Sequence, residues 1–508
     1  YKLSEKTTLK VNAGYYFDKL QQTSTNQIIY NDVVGISDQN EIENLSKRPR
    51  LFNAKVVLDS YLSEKVKLDY EGKIQFQNTN TDNNAFNNTT PIDNSISTES
   101  RFTKHKLLLT QLLNLKNVFQ YQGLFSYSES PQDYIISPGF NFNDGVINTS
   151  VSNRQLSQFQ DQHLNAHMTW FNVNRLGKLD VSIGYSNNQN HFVSEITESG
   201  GTVLGNIFRN DFRYSTSKSY VRGNFDYRNG KWRFKTKIDF SYFDLKYREK
   251  NLGTEETSSQ FVISPSLRIS YATGEYSALF ASYGYNQTTP NETYLFQNPV
   301  LTGFRQLQSN TFNLEFLNKH SFIVGYLDND LYNLFRLNIF LSGSIDNNSY
   351  FSNPEINQDI TFINRFLLGE GRENYNATVT VSDYLRFIRT TYSLSSNYSI
   401  SRFKNIVSSS ELRDNRNNNW SNSLYLRTGF KGKLNLENKM SVSVSTFFSD
   451  GNKSNDFIVV ENQAKLIYGI SEKLLFVLEN YYSTPTETSQ ENAFLEPSFR
   501  VTPKYKLA

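Results

Sequence analysis

The stretch VKLDYEGKIQFQ, residues 66–77, alternates without a slip. Val66, Leu68, Tyr70, Ile74 and Phe76 fall on one face with Gly72 among them. Lys67, Asp69, Glu71, Lys73, Gln75 and Gln77 fall on the other. Period-two alternation predicts a β-strand with one apolar and one polar face. Its length is about twice that of the usual globular strand.

The same pattern recurs on both sides of short turns. With Asn229-Gly230 as a two-residue hairpin loop, Tyr227 faces Trp232, Phe225 faces Phe234 and Val221 faces Ile238. With Thr273-Gly274 as the loop, Tyr271 faces Tyr276, Ile269 faces Ala278 and Leu267 faces Phe280. The tripeptide SEK at 63–65 sets Leu58 against Tyr70, Ala54 against Ile74 and Phe52 against Phe76. SEK returns at 4–6 and at 471–473, where Tyr468 meets Phe476 and Leu466 meets Leu478, and TPK at 502–504 fits the same template. Each register keeps the apolar residues on one face, which a one-residue slip would destroy. Further turns are expected near 114–117, 174–178, 328–330, 384–386 and 437–439.

From position 4 to position 502 these turns mark ten intervals of about 50 residues, each a strand, a polar connection and a second strand. Connections such as 78–100 and 186–206 are rich in Asn, Thr, Ser, Asp and Gly. A β-sandwich turns every 8–12 residues on short strands, and a propeller blade needs four short strands. Neither accounts for short turns on one side and long connections on the other. A membrane-spanning barrel does. The expected fold class is therefore all-β: a large antiparallel transmembrane β-barrel of about 22 strands, with short periplasmic turns and long extracellular loops. Its apolar face meets lipid and its charged face lines a lumen. Residues 1–508 read as a single barrel domain cut in mid-strand at both ends, without a plug domain in this stretch. Pro265 cannot donate to a ladder, so it predicts a bulge or the extracellular end of a strand.

Composition narrows the function. The 52 basic and 49 acidic residues leave a net charge of +3, which is no nucleic-acid footprint. Cysteine is absent, so thiolate metal sites and a Cys nucleophile are excluded. Aromatic residues make up 15% of the chain, 39 of them Phe and 32 Tyr, which suits lipid-facing bulk and interfacial girdles.

Many strands, Asn- and Tyr-rich hairpins with LSEK-type turns, and the stretch Asn298-Pro299-Val300-Leu301 ahead of a strand together resemble the barrel portion of TonB-dependent receptor-like outer-membrane proteins. In that family an N-P-x-L segment often precedes a descending barrel strand. The resemblance implies import of a scarce ligand through a plugged pore in the bacterial outer membrane. The partners it implies are outer-membrane lipid, a TonB-type energy-coupling protein acting through an N-terminal region, and a surface lipoprotein or other outer-membrane partner. It carries over no ligand-binding residue. An alternative function is a non-transporting barrel that assembles, exports or anchors other macromolecules, and a third is a passive porin.

Catalytic, cofactor and metal sites are expected to be absent. His163 and His167 share a strand face but lie about 13 Å apart at ~3.3 Å per residue, too far to chelate one ion, so they read as lumen-lining. Asp328-Asn329-Asp330 reads as a solvated turn, and NFNDG at 141–145 lacks the later acidic ligands of a calcium loop. No nucleophile, base and orienter can be assembled, so the chain reads as no enzyme. Tyr134, Phe140, Tyr294, Phe296 and Trp420 are read as loop aromatics that either contact a ligand or pack the loops on themselves. Lys67, Asp69, Glu71 and Lys73, with Arg233, Lys235, Lys237 and Asp239, make a lumen wall of mixed sign. Such a wall predicts a lumen filled by an ordered segment or water rather than by its own side chains.

Overall fold

A computed structural model describes residues 2–4, 6–28, 39–87, 90–141, 146–148, 150–199, 202–357, 360–406, 411–430, 432–470, 474–485 and 492–501. The wall begins with Lys2–Ser4, Thr7–Phe17 and Gln39–Ser63, and then Val66–Asn87, Thr90–Asn114, Asn117–Ser137, Asn153–Val173 and Gly177–Glu198 follow as antiparallel neighbours. It continues through Arg209–Asn229, Trp232–Glu249, Thr254–Ala272, Ser277–Thr288, Leu317–Asp330 and Phe335–Asp346. Arg372–Leu385, Thr390–Asn405, Arg413–Thr428, Leu434–Ser449, Asn452–Gly469, Leu474–Pro485 and Asn492–Val501 complete it. Leu20–Ile28 extends Thr7–Phe17 along the same neighbour, so the sheet has about 21 strands among the described residues. This is a large antiparallel β-barrel. The final stub counted from the sequence, the turns at 471–473 and 502–504, and Glu5 lie outside the described residues.

The SEK register at 63–65 is observed pair for pair: Leu58↔Tyr70, Ala54↔Ile74 and Phe52↔Phe76. So are Tyr468↔Phe476 and Leu466↔Leu478. The NG hairpin slides by one residue. Gly230 and Lys231 form the loop, so Tyr227 pairs with Phe234 and Phe225 with Thr236. Gly230 takes the positive φ of 56° at the first loop position. The TG hairpin is corrected more deeply. Four residues, 273–276, form its loop, and Ile269 pairs with Ala281. Phe280 thereby faces the lumen, where the Arg268 guanidinium lies 3.9 Å from its ring centroid. Three other turns shift: residues 331–334 replace 328–330, 386–389 replace 384–386, and the turn expected at 437–439 falls between Thr428 and Leu434.

The larger correction concerns the polar connections. Val66–Asn87 and Thr90–Asn114 stay paired up to Asn87↔Thr90, so most of 78–100 is ladder rather than loop. Gly177–Glu198 likewise carries strand structure through most of 186–206. The wall is therefore uneven. Strands between Gln39 and Glu249 run 18–25 residues, whereas those between Ser277 and Leu385 run 12–14. Pro265 marks the step. Ser266–Ala272 pairs with the next strand, but residues 254–265 pair only with Trp232–Glu249. The proline's missing N–H falls where the second ladder has ended.

Candidate functional site in the upper lumen

The alternation of Trp232–Glu249 changes phase in mid-strand. Trp232, Phe234, Ile238, Phe240 and Tyr242 point outward, opposite Arg233, Lys235, Lys237 and Asp239 in the lumen. Beyond Tyr242 the outward set is Asp244, Lys246 and Arg248, and the inward set is Phe243, Leu245 and Tyr247. The same inversion appears on neighbouring strands, where Ile92, Tyr134, Ile136, Ile196, Phe212 and Tyr214 are all buried. From Trp232 to Tyr242 is ~33 Å of strand, or ~25 Å of height at a tilt near 40°, the thickness of the apolar band. Above that band the outside is water, and the apolar face turns inward because something covers it there.

The cover is built from two connections of the chain itself. Val300–Gly303 pairs antiparallel with Gln306–Asn310, which pairs parallel with Thr361–Leu368, which pairs antiparallel with Ser349–Ile356. This four-stranded sheet and its flanks place Leu295, Phe296, Val300, Leu314 and Phe316 against Phe212, Tyr214, Phe243, Leu245, Tyr247 and Val262. Leu301, Leu307 and Ile360 pack against Ile92, Tyr134, Ile136, Phe140 and Ile196. Burial of this kind contributes roughly 1.5–3 kcal/mol per large side chain.

Polar anchors fix its position. The Gln155 amide Nε2 donates to Leu301 O at 3.1 Å, and Leu301 N donates to Gln155 Oε1 at 2.6 Å. Asn210 makes the same reciprocal pair with Asn298, at 3.1 and 3.0 Å. Asn298 Nδ2 also donates to Arg209 O at 2.5 Å, and the Tyr247 hydroxyl donates to Leu295 O at 2.9 Å. Gln155 and Asn210 are 2% and 1% exposed, so these bonds satisfy groups that would be costly to leave unpaired. The Asn298–Leu301 stretch is thus corrected: it docks the inner sheet and does not lead into a barrel strand. The anchors Gln155, Asn210 and Tyr247 escaped the sequence reading. The phase change at Tyr242-Phe243 was the available signal.

The loop aromatics divide. Tyr134, Phe140 and Phe296 are buried in the two clusters. Tyr294 stacks on Tyr350 at 4.2 Å, and burial raises the Tyr350 hydroxyl well above its ordinary pKa. Trp420 is corrected: it sits on the outward face of Arg413–Thr428 with its Nε1 donating to Ser396 Oγ at 3.3 Å. His163 and His167 lie on the lumen face, and no cluster of three metal-ligating side chains occurs among the described residues. Asp330 caps its turn by accepting from Tyr332 N and Asn333 N at 2.9 and 3.0 Å. NFNDG lies mostly outside the described residues.

Below the inner sheet the lumen wall is charged, and much of it pairs across strands. Arg233 meets Asp226 at 2.6 Å, Arg222 meets Asp239 at 2.7 Å, and Lys55 meets Glu71 at 2.9 Å. One row is balanced only at its Lys55 end. Lys55, Lys73 and Lys104 stand directly opposite one another on three successive strands. Lys235 and Arg268 form a second like-charged pair, in which Lys235 lies 4.0 Å from the Asp226 carboxylate that Arg233 also holds. The lumen therefore presents cationic rows beneath a folded cover.

No protein-family model and no curated protein sequence matches the chain. Solved structures do. The copper transporter OprC aligns with a TM-score of 0.55 at 10% identity, over 97% of this chain and 79% of its own. The ferric-catecholate import receptor Fiu from E. coli K12 aligns with a TM-score of 0.51 at 9% identity, over 97% and 81%. P. aeruginosa FpvA bound to heterologous pyoverdines aligns with a TM-score of 0.51 at 11% identity, over 97% and 71%. These neighbours are transporters and receptors rather than enzymes. In fold, the chain is a large barrel similar to those of these TonB-dependent outer-membrane receptors.

Proposed function

We propose that this barrel belongs to an outer-membrane uptake receptor that captures a scarce, negatively charged ligand and admits it through the lumen with energy supplied from a TonB-type partner. The observation that carries the reading is the inner sheet. A barrel this wide would leave an open mouth, and here two connections fold inward, the first docked on the tall wall through Gln155, Asn210 and Tyr247 and the second paired to it from Gln306↔Thr361 onward. A mouth narrowed from within suits selective admission rather than free diffusion. The cationic rows at Lys55, Lys73, Lys104, Lys235 and Arg268 favour an anionic ligand. Fold neighbours that carry copper, ferric catecholates and ferric pyoverdine support the uptake class.

The test compares the native host with a strain lacking this protein and a strain lacking the inner-membrane energy coupler. Growth is scored on limiting ferric chelates, copper chelates and anionic oligomers as sole sources. Loss of growth on one source in both mutants is the expected result. Unimpaired growth on every source, together with defective assembly of other outer-membrane proteins, would overturn uptake in favour of a barrel that assembles or anchors other macromolecules.

A further inference from the structure

The wall forks beside Thr254–Ala272. Tall strands elsewhere stay paired to their tips, as at Asn87↔Thr90 and Glu249↔Thr254. On the far side of Thr254–Ala272 the ladder stops at Ser266↔Gly284, so residues 254–265 have a strand on one side only. The connection that leaves the next strand, residues 289–316, turns inward to the inner sheet. It gives this edge no backbone hydrogen bond among the described residues.

Register names the open groups. Ala272 N donates to Lys231 O at 2.8 Å, and Thr273 N donates to Ser277 O at 3.0 Å. Hydrogen-bonding direction alternates along an antiparallel strand, so even-numbered residues bond Trp232–Glu249 and odd-numbered ones turn to the other side. Glu255, Thr257, Ser259, Phe261 and Ile263 therefore hold out N–H and C=O groups with no strand to meet them. Phe261 and Ile263 are in register with Tyr242 and Phe240, inside the upper edge of the apolar band. Lipid cannot satisfy backbone groups at that depth, and an added strand can.

A cavity of about 480 Å³ lies in the fork. Glu256, Ser258 and Gln260 line it from the lumen face of the open strand, and Gln287 and Asn318 from the outward face beyond, so it passes through the wall. The far rim is fixed: the Gln287 amide donates to Asn318 Oδ1 at 2.5 Å, and Asn318 N donates to Asn348 Oδ1 at 3.0 Å. Glu315 is the cavity's other carboxylate, and no Lys, Arg or His lines it. Neither Glu256 nor Glu315 is ion-paired among the described residues. This charge is wrong for an anionic ligand and right for a cationic segment.

We propose that this edge is a docking site for an extended, lysine- or arginine-bearing segment of a partner protein, which adds as an antiparallel strand to residues 254–265 and closes the fork. Main-chain bonds hold it, apolar residues at its lower end continue the face of Phe261 and Ile263, and basic residues at its upper end meet Glu256 and Glu315. A second copy of this chain would instead bring its own glutamates to a cleft that lacks a cation.

The test titrates the purified full-length protein in detergent, by fluorescence anisotropy, with the labelled peptide VTVTITTKTKTK. Its controls are the same peptide N-methylated along its pairing edge and the analogue with every lysine replaced by glutamate. The first peptide should bind about tenfold tighter than either control. T257P removes one open-side N–H, as Pro265 already does lower down, and should weaken binding to the level of the N-methylated control while keeping heat-modifiable mobility on gels. E256Q/E315Q should erase the preference over the glutamate analogue. Should T257P not fold, the N-methylated peptide makes the same comparison on the unaltered chain. Equal binding of the N-methylated peptide overturns strand addition, and equal binding of the glutamate analogue overturns the basic partner. No binding of any peptide overturns the site. Dimerisation of the parent that T257P abolishes gives the edge to a second copy and also overturns the proposal.

Discussion

The lower and upper parts of Trp232–Glu249 use one strand in opposite senses. Below Tyr242 the apolar face meets lipid and the polar face meets the lumen; above it the polar face meets water and the apolar face meets the inner sheet. The backbone ladder is continuous through the change, with Phe240, Tyr242 and Phe243 all paired on both sides. Secondary structure is therefore indifferent to which face is greasy. The environment on each side decides, and a single phase slip in the sequence converts a membrane wall into the cradle of a folded cover.

The sharpest way to separate the two levels is to place one charge at each. Ile238 points to lipid near the middle of the band, where an arginine costs about 2–4 kcal/mol; near the interface the cost falls to ~0–1 kcal/mol. Ser259 lies on the same outward face above Phe261, in register with Asp244. I238R should cut the folded fraction in lipid vesicles severely, and S259R should fold like the parent in the same urea titration. Equal damage from both would mean that the band does not end near Tyr242.

Damage on the inner face should show a different symptom. Leu245 is fully buried against the inner sheet, and Leu→Ala in such a site costs about 2–5 kcal/mol. Because Leu245 lies outside the lipid band, L245A should undock the cover and leave the barrel intact. Hydrogen exchange should accelerate across 300–310 and 361–368 while strands 66–77 and 232–242 keep their protection. Faster exchange in the lower wall as well would show that the two levels fold as one unit. Q155A tests the polar side of the same contact. It strips both the Leu301 N–H and C=O of their partner, and stranded buried groups cost about 1–3 kcal/mol. Its exchange pattern should match that of L245A at smaller amplitude.

These differences also explain what could be read from residues alone. The Leu58–Tyr70 hairpin was legible because one face meets lipid, so alternation and register carry the same information. The continuation of Val66–Asn87 up to its pairing Asn87↔Thr90 with the next strand was not, because above the membrane the outward face is polar and the buried inward face mixes Asn83 and Asn94 with Ala85 and Ile92, so the hydrophobic period fades while the ladder persists. The 269–281 register failed because Phe280 is an aromatic residue facing the lumen, held by Arg268, where apolar character was taken to mean lipid. The inner sheet was beyond reach for a different reason. Its parallel pairing of Gln306 with Thr361 joins segments separated by two barrel strands, and no local pattern announces a contact that distant.

The smallest expected effect lies on the lower inner face. Lys55, Lys73 and Lys104 are in register with no residue between them, and like charges directly opposed cost roughly 0.2–1 kcal/mol per pair. Glu71 offsets Lys55 at 2.9 Å, and the Lys73 ammonium lies 5.5 Å from the Phe102 ring centroid. The residual repulsion should therefore fall on the Lys73–Lys104 step. K73Q/K104Q removes it without touching either apolar face, so the barrel should unfold at the same or slightly higher urea concentration than the parent. The gain should be larger at low salt, because screening already weakens the repulsion when the Debye length shrinks to about 8 Å near 0.15 M. If the row instead holds a structural anion or a packed segment in the lumen, the same variant should be less stable at every ionic strength. A fall in midpoint that salt does not alter would show that these lysines serve the fold; an unchanged or raised midpoint with weakened capture of an anionic ligand would show that they serve the passage.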